Sequence, residues 1–173
     1  MENIENIVKN IDVPVIVKET GCGISKKTCE KLLSVGVKYI DVSGFGGTNF
    51  IEIEDLRRTD LDFTNIYSWG IPTAKCIIDC RKVSDDFTLI GSGGIKTGED
   101  IVKAIVLGSD MVAIAGEILR YLIHGGYKFA EDYLKSLIYQ TKMIMLLLGV
   151  KNIEELKKVE YKTFGKLKDI CEY

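Results

Sequence analysis

One histidine, one tryptophan, two prolines and no Cys-x-x-Cys pair leave this chain of 173 residues short of the means for several common chemistries. The five cysteines, Cys22, Cys29, Cys76, Cys80 and Cys171, are an odd number. Only His124 could join them as a soft metal ligand, so no metal site is expected. Cys76 and Cys80 stand four apart on one predicted helix face and read as small buried hydrophobes of a reduced protein. With a net charge of -2 and its Lys and Arg scattered through predicted helices, the chain has no basic footprint for nucleic acid. The opening Met-Glu-Asn-Ile-Glu-Asn is acidic and lacks an apolar segment, which argues against a secretory signal. The longest apolar run, residues 143–148, is far too short to span a bilayer. The expectation is a cytoplasmic protein without a membrane partner.

What the chain has instead is glycine, in clusters. Leu89-Ile-Gly-Ser-Gly-Gly-Ile-Lys-Thr-Gly98 reads as a short strand, a tight turn and the start of an amphipathic helix. Glycines let backbone come close to an anion, unpaired amides point outward there, and a helix N-terminus adds partial positive charge. Lys96 could add a full one. A tight turn with no ligand has the same local pattern, so the surroundings must separate the two readings.

Taken in order, residues 2–12 carry Ile4, Ile7, Val8 and Ile11 at helical spacing, with no capping residue ahead of them. Residues 14–19 read as a buried strand in which Ile16 and Lys18 share one face and Val15 and Val17 the other, which predicts a Lys18 withdrawn from the surface. Ser25 caps a helix closed by Gly36, and residues 39–43 form the next strand, ending in Gly44-Phe-Gly-Gly-Thr-Asn49. Residues 51–69 read as a long loop with room for a small helix. Pro72 opens a helix to about residue 83. Residues 89–91 are the third strand, residues 99–107 a helix ended by Gly108, and residues 111–115 the fourth strand. A short helix, a long one over about 127–148 and a charged helical tail from Asn152 follow.

Residues 36–44 and 108–116 echo each other: a helix-ending Gly, two residues, a five-residue strand, Gly. The two copies lie two strand-helix units apart, so a unit averages about 36 residues. Repeated βα units mean a parallel sheet. Four units cannot close an eight-stranded barrel, whose usual length is roughly 250 residues. The sheet is therefore open or half of a barrel. Lys18, Ser43, Thr48, Gly93, Gly94, Ile95, Lys96, Ala115 and Gly116 all fall at C-terminal strand ends, the face where barrels place their active sites, and this favours the half-barrel.

Five segments, in order and spacing, carry a resemblance: Pro14-Val-Ile-Val-Lys-Glu19, Asp41-Val-Ser-Gly44 with Gly46-Gly-Thr-Asn-Phe50, Trp69-Gly-Ile-Pro-Thr-Ala74, Gly91-Ser-Gly-Gly-Ile95 and Ala115-Gly116. Together they closely resemble the C-terminal half of type 2 isopentenyl diphosphate isomerases. The wider superfamily of FMN-dependent TIM-barrel enzymes shares only the later glycine loops. The resemblance covers essentially the whole chain. It implies an α/β fold, the C-terminal half of a TIM (β/α)8 barrel, with four βα units to about residue 116 and extra C-terminal helices over 117–173, all in one FMN-binding domain.

The resemblance further implies interconversion of isopentenyl and dimethylallyl diphosphate, a small-molecule diphosphate substrate, with FMN, NADPH as reductant and Mg2+. Lys18 would lie beside the flavin, where a cation stabilises the anionic reduced ring. Ser43 and Thr48 would hydrogen-bond the cofactor, and the backbone amides of Gly93, Gly94, Ile95, Lys96, Ala115 and Gly116 would hold its phosphate. Asn49 and Trp69 resemble positions near the substrate, although a lone Trp is also a common core residue. Arg57-Arg58 resembles a family pair, with a solvated charge pair as the plainer reading. Phe45 departs from the family, which often has Arg there. The family's substrate-clamping basic residues, its proton-transfer His and Gln and its metal-binding Glu belong to the N-terminal half, outside the resemblance. The expected catalytic unit is therefore a homo-oligomer or a heteromer with such a half. A catalytically inactive FMN-binding fragment is the alternative. Another FMN-dependent TIM-barrel oxidoreductase, such as a 2-hydroxy-acid oxidase relative, ranks last, because Gly44-Phe45 stands where those enzymes need His and Arg.

Overall fold

The computed structural model describes residues 1–58, 60 and 62–171; positions 59 and 61 of the segment read as a loop, and 172–173 of the helical tail, lie outside the described residues. Four strands, β1 (Ile16–Lys18), β2 (Tyr39–Asp41), β3 (Thr88–Gly91) and β4 (Met111–Val112), pair in parallel and in chain order. Lys18 stands beside Asp41, and Asp41 beside Ile90, which in turn neighbours Met111. A doubly wound open sheet reverses its strand order at a switch point. This one never does, and it is half of a barrel.

Helices join the strands: α1 (Glu2–Asn10) before β1, α2 (Lys26–Ser34) after it, α3 (Phe50–Arg57) and α4 (Thr73–Arg81) between β2 and β3, and α5 (Gly98–Val106) between β3 and β4. Their ends follow local chemistry. Ser25 Oγ accepts from the Thr28 amide at the start of α2, and Thr97 with Asp100 forms a reciprocal capping box on α5. Beyond β4 run α6 (Gly116–Leu147), α7 (Ile153–Leu156) and α8 (Gly165–Cys171). The short and long helices expected after Gly116 are one run interrupted at Gly126, whose φ of 74° breaks the helix. No described helix is long and apolar enough to cross a membrane.

Alternate residues of each strand face opposite ways. Ile40, Val42 and Leu89 are fully buried against Cys29 and Leu32 of α2 and Cys76, Ile77 and Cys80 of α4. All five cysteines are free thiols. Cys76 and Cys80 pack as expected, and burial pushes the Cys76 thiol up to about 12, leaving it neutral and inert. The far end of the domain is tied by Asp110, which takes the Arg81 guanidinium at 2.7 Å, Lys157 Nζ at 2.7 Å and the Leu89 amide at 2.7 Å.

The opposite sheet face corrects the sequence. The first strand was expected to be buried and Lys18 withdrawn, yet Ile16 is 55% exposed and the Lys18 side chain 53%. Both project from the inner face of a half-barrel, and β1 is an edge strand of the sheet. The segment read as a long loop holds α3 and a 3-10 turn at Thr64–Ile66. Pro72 sits one position before the first helical residue of α4.

Candidate functional site

The glycine clusters after β2 and β3 interlock backbone against backbone. A Cβ on Gly93, whose φ is +105°, would lie 2.1 Å from the Gly44 carbonyl oxygen, and one on Gly94 would lie 2.2 Å from that of Gly46. Only glycine permits this approach. Thr73 Oγ1, at the first turn of α4, donates to the Gly93 carbonyl at 2.7 Å and fixes the turn from one side.

This packing shapes a cavity of about 550 Å³ at the C-terminal ends of the strands. All nine residues expected at a cofactor line it: Lys18, Ser43 and Thr48 from the first two units, Gly93, Gly94, Ile95 and Lys96 from the third, Ala115 and Gly116 from the fourth. Among the described residues, the amides of Gly93, Gly94, Ile95, Ala115 and Gly116 donate to no other protein group. With the start of α6 beside them, they make up a cradle suited to an anion. Lys96 differs in one respect. Its amide donates to Asp100 Oδ2 at 3.1 Å, so its backbone is taken by the α5 cap. Its ammonium remains at the cavity, 3.7 Å from Glu117 Oε1. Glu117 also lines the cavity, and Arg120, followed by Lys96, holds its carboxyl below the ordinary range.

At the centre of the inner sheet face lies a polar cluster that sequence reasoning only half found. Lys18 Nζ sits 3.1 Å from Asp41 Oδ2, 3.0 Å from Ser43 Oγ and 3.4 Å from Ser92 Oγ. Asp41, 5% exposed, accepts the Ser92 hydroxyl and, at 3.1 Å, the Ser43 amide. Ser43 has a φ of 36°, the one positive value outside glycine among the described residues. Asp41 therefore holds both the cation and the strained serine in place. Asp41 and Ser92 were missed, although strand alternation puts Asp41 on the same face as Ser43.

The remaining candidates lie elsewhere. Asn49 caps α3 through Ile51 and Glu52 amides and donates to the Tyr67 carbonyl at 2.8 Å; it does not line the cavity. Trp69 is 69% exposed, neither core nor cavity wall. Arg57 and Arg58 pair with Glu54 on the surface, the plainer of their two readings. Phe45 bridges to Pro72 and lies against Gly70, and His124 is exposed on α6. Among the described residues, no three of His, Cys, Asp and Glu gather into a group that could hold a metal ion.

A family model described as FMN-dependent dehydrogenase matches residues 1–162. The isopentenyl-diphosphate delta-isomerase of Staphylococcus epidermidis RP62A is 40% identical over 92% of this chain and 46% of its own length. That of Geobacillus sp. WCH70 is 46% identical over 90% of this chain and 44% of its own length. The chain thus spans a little under half of the curated relatives it matches. Among solved structures, mandelate oxidase bound to 3,3-difluoro-2-hydroxy-3-phenylpropionic acid superposes with a TM-score of 0.71 at 18% identity, over 93% of this chain and 43% of that one. Mandelate oxidase bound to (S)-2-phenylpropionate gives 0.70 at 19%, over 93% and 42%. At that identity the likeness establishes the fold alone.

Proposed function

The chain belongs to the FMN-dependent dehydrogenase family, and from that premise we propose that its cavity holds FMN and that it is the cofactor-binding half of a type 2 isopentenyl-diphosphate isomerase. The observation that carries the reading is the convergence of all nine expected residues on one cavity, with five backbone amides there left without a protein acceptor among the described residues. A phosphate monoester suits those donors, and the glycines at 93 and 94 let the turn pack directly on the backbone at Gly44 and Gly46, which shapes the cavity.

When bound and reduced, FMN supplies the acid-base chemistry that moves the double bond of isopentenyl diphosphate. The chain's own part is to bind and orient. The amides of Gly93, Gly94, Ile95, Ala115 and Gly116 take the phosphate, with the Lys96 ammonium near it. Lys18 presents a positive charge to the flavin, steadied by Asp41, while Ser43 and Thr48 offer hydrogen bonds. NADPH as reductant and Mg2+ at the diphosphate belong to the same reading, and no described residue is assigned to the ion. Asn49 and Trp69 stay with the substrate side of this proposal as positions that a partner's docking would have to bring into use. The free cysteines fit a cytoplasmic protein.

The reading also includes a partner that supplies the other four βα units, either a separate N-terminal half or a second copy. Its support is the pair of free sheet edges, β1 and β4, and the exposed apolar side chains Ile16 and Met111 on the inner face. The test is an assay of isopentenyl diphosphate conversion with FMN, NADPH and Mg2+, run on the chain alone and with the N-terminal half of the Geobacillus relative. Conversion in the mixture, or by a self-assembled chain, is expected. FMN binding without conversion in either would leave the inactive-fragment reading.

A further inference from the structure

The anion cradle has two pieces from distant parts of the chain, the turn 93–96 and the start of α6, and one element touches both. α6 begins at the cradle with Gly116, and its segment beyond the Gly126 kink packs against the turn and α5. Tyr133 Oη donates to the Lys96 carbonyl at 2.8 Å, and Gln140 Oε1 accepts from the Gly98 amide at 3.0 Å. The approach at Gly98 is close enough that a Cβ there would sit 2.4 Å from Gln140 Cβ. Across the kink, Tyr121 stacks on Tyr133 with ring centroids 4.5 Å apart, and Arg120 next to it holds Glu117 beside Lys96.

The hydrogen bonds of the turn divide cleanly. The Gly93 carbonyl goes to Thr73, the Lys96 and Thr97 amides to Asp100, the Lys96 carbonyl to Tyr133 and the Gly98 amide to Gln140. The amides left over among the described residues are those of Gly93, Gly94 and Ile95. We propose that Tyr133 and Gln140 are positioning residues for the phosphate site, pinning the outer side of the turn so that these three amides stay in register with the first turn of α6. This rests on the reading of the cavity as an FMN site.

Riboflavin is FMN without its phosphate, so the ratio of the two affinities isolates the cradle from the flavin's other contacts. The experiment measures flavin fluorescence quenching by the full chain, by Tyr133→Phe, which keeps the ring stacked on Tyr121, and by Gln140→Leu. The wild type is expected to prefer FMN. Each variant is expected to lose about fivefold of that preference, the worth of one hydrogen bond, with riboflavin affinity unchanged. Equal losses for both ligands, or an intact preference in both variants, would overturn the positioning role and leave the FMN reading standing. A wild type with no preference for FMN would overturn both.

Discussion

The two faces of the β1–β4 sheet are made from alternate residues of the same strands and end in different states. The outer face, with Ile40, Val42 and Leu89, is sealed by α2 and α4. The inner face is closed only at its centre, where Asp41, Ser43 and Ser92 are buried around the Lys18 ammonium, and it is bare at its margins, where Ile16 and Met111 are more than half exposed. The inner face carries both the candidate chemistry and the exposed apolar side chains, so the partner proposed above would cover both.

The strongest way to break the inner face is at its glycines. Gly93→Ala would force a Cβ to 2.1 Å from the Gly44 oxygen at a φ that disfavours it. A loss of at least about 3 kcal/mol is expected, together with loss of FMN binding, both read by thermal melting with and without flavin. The faces themselves are compared by truncation. Leu89→Ala is expected to cost about 3 kcal/mol in urea denaturation because it opens a cavity in a closed core. Ile16→Ala, on the exposed side, is expected to change stability by no more than about 0.5 kcal/mol. Equal costs would mean that the inner face is covered in solution.

Next in size is Asp110→Asn, expected to cost about 2 kcal/mol by removing a carboxylate that serves Arg81, Lys157 and the Leu89 amide. Burial pushes the Asp110 carboxyl up, and the Leu89 amide, Lys157 and Arg81 outweigh it, holding it below its ordinary value. Its contribution is therefore present above the unfolded carboxylate pKa and lost as pH falls through the lower folded one. The difference between wild type and variant should shrink in acid, in urea titrations run at descending pH. Smallest is Lys18→Gln, whose half-exposed pair with Asp41 is screened by water; a stability change within about 0.5 kcal/mol is expected, with weakened flavin binding as the larger effect.

Much of this was legible locally. The glycine turns, the Ser25 cap and the apolar strands fixed the order of elements, because each signal needs only its neighbours in sequence. The Thr97 cap was not read, and it would have warned about Lys96: in Thr97-x-x-Asp100 the acidic side chain reaches back for amides at the helix start. α3 was legible only as room for a small helix, because Ile51, Ile53 and Leu56 do not make a helical stripe, although Asn49 is a good cap. Asp41 was missed because a polar residue in a strand reads as surface, and Ser92 because a serine in a glycine turn reads as a turn residue; only register reveals that they meet Lys18. The exposure of Ile16 and Lys18 was not legible at all, since burial depends on what lies across the barrel. Tyr133 and Gln140 act from about forty residues away in sequence, beyond any local pattern.

The most direct test of the central claim, that this half-barrel already holds a formed FMN site, is to add FMN to the purified chain, remove the excess by gel filtration and record the flavin absorption and elution size of the protein peak. The expected result is retained flavin in a peak larger than a single 19.3 kDa chain. A colourless peak at the size of one chain would contradict it.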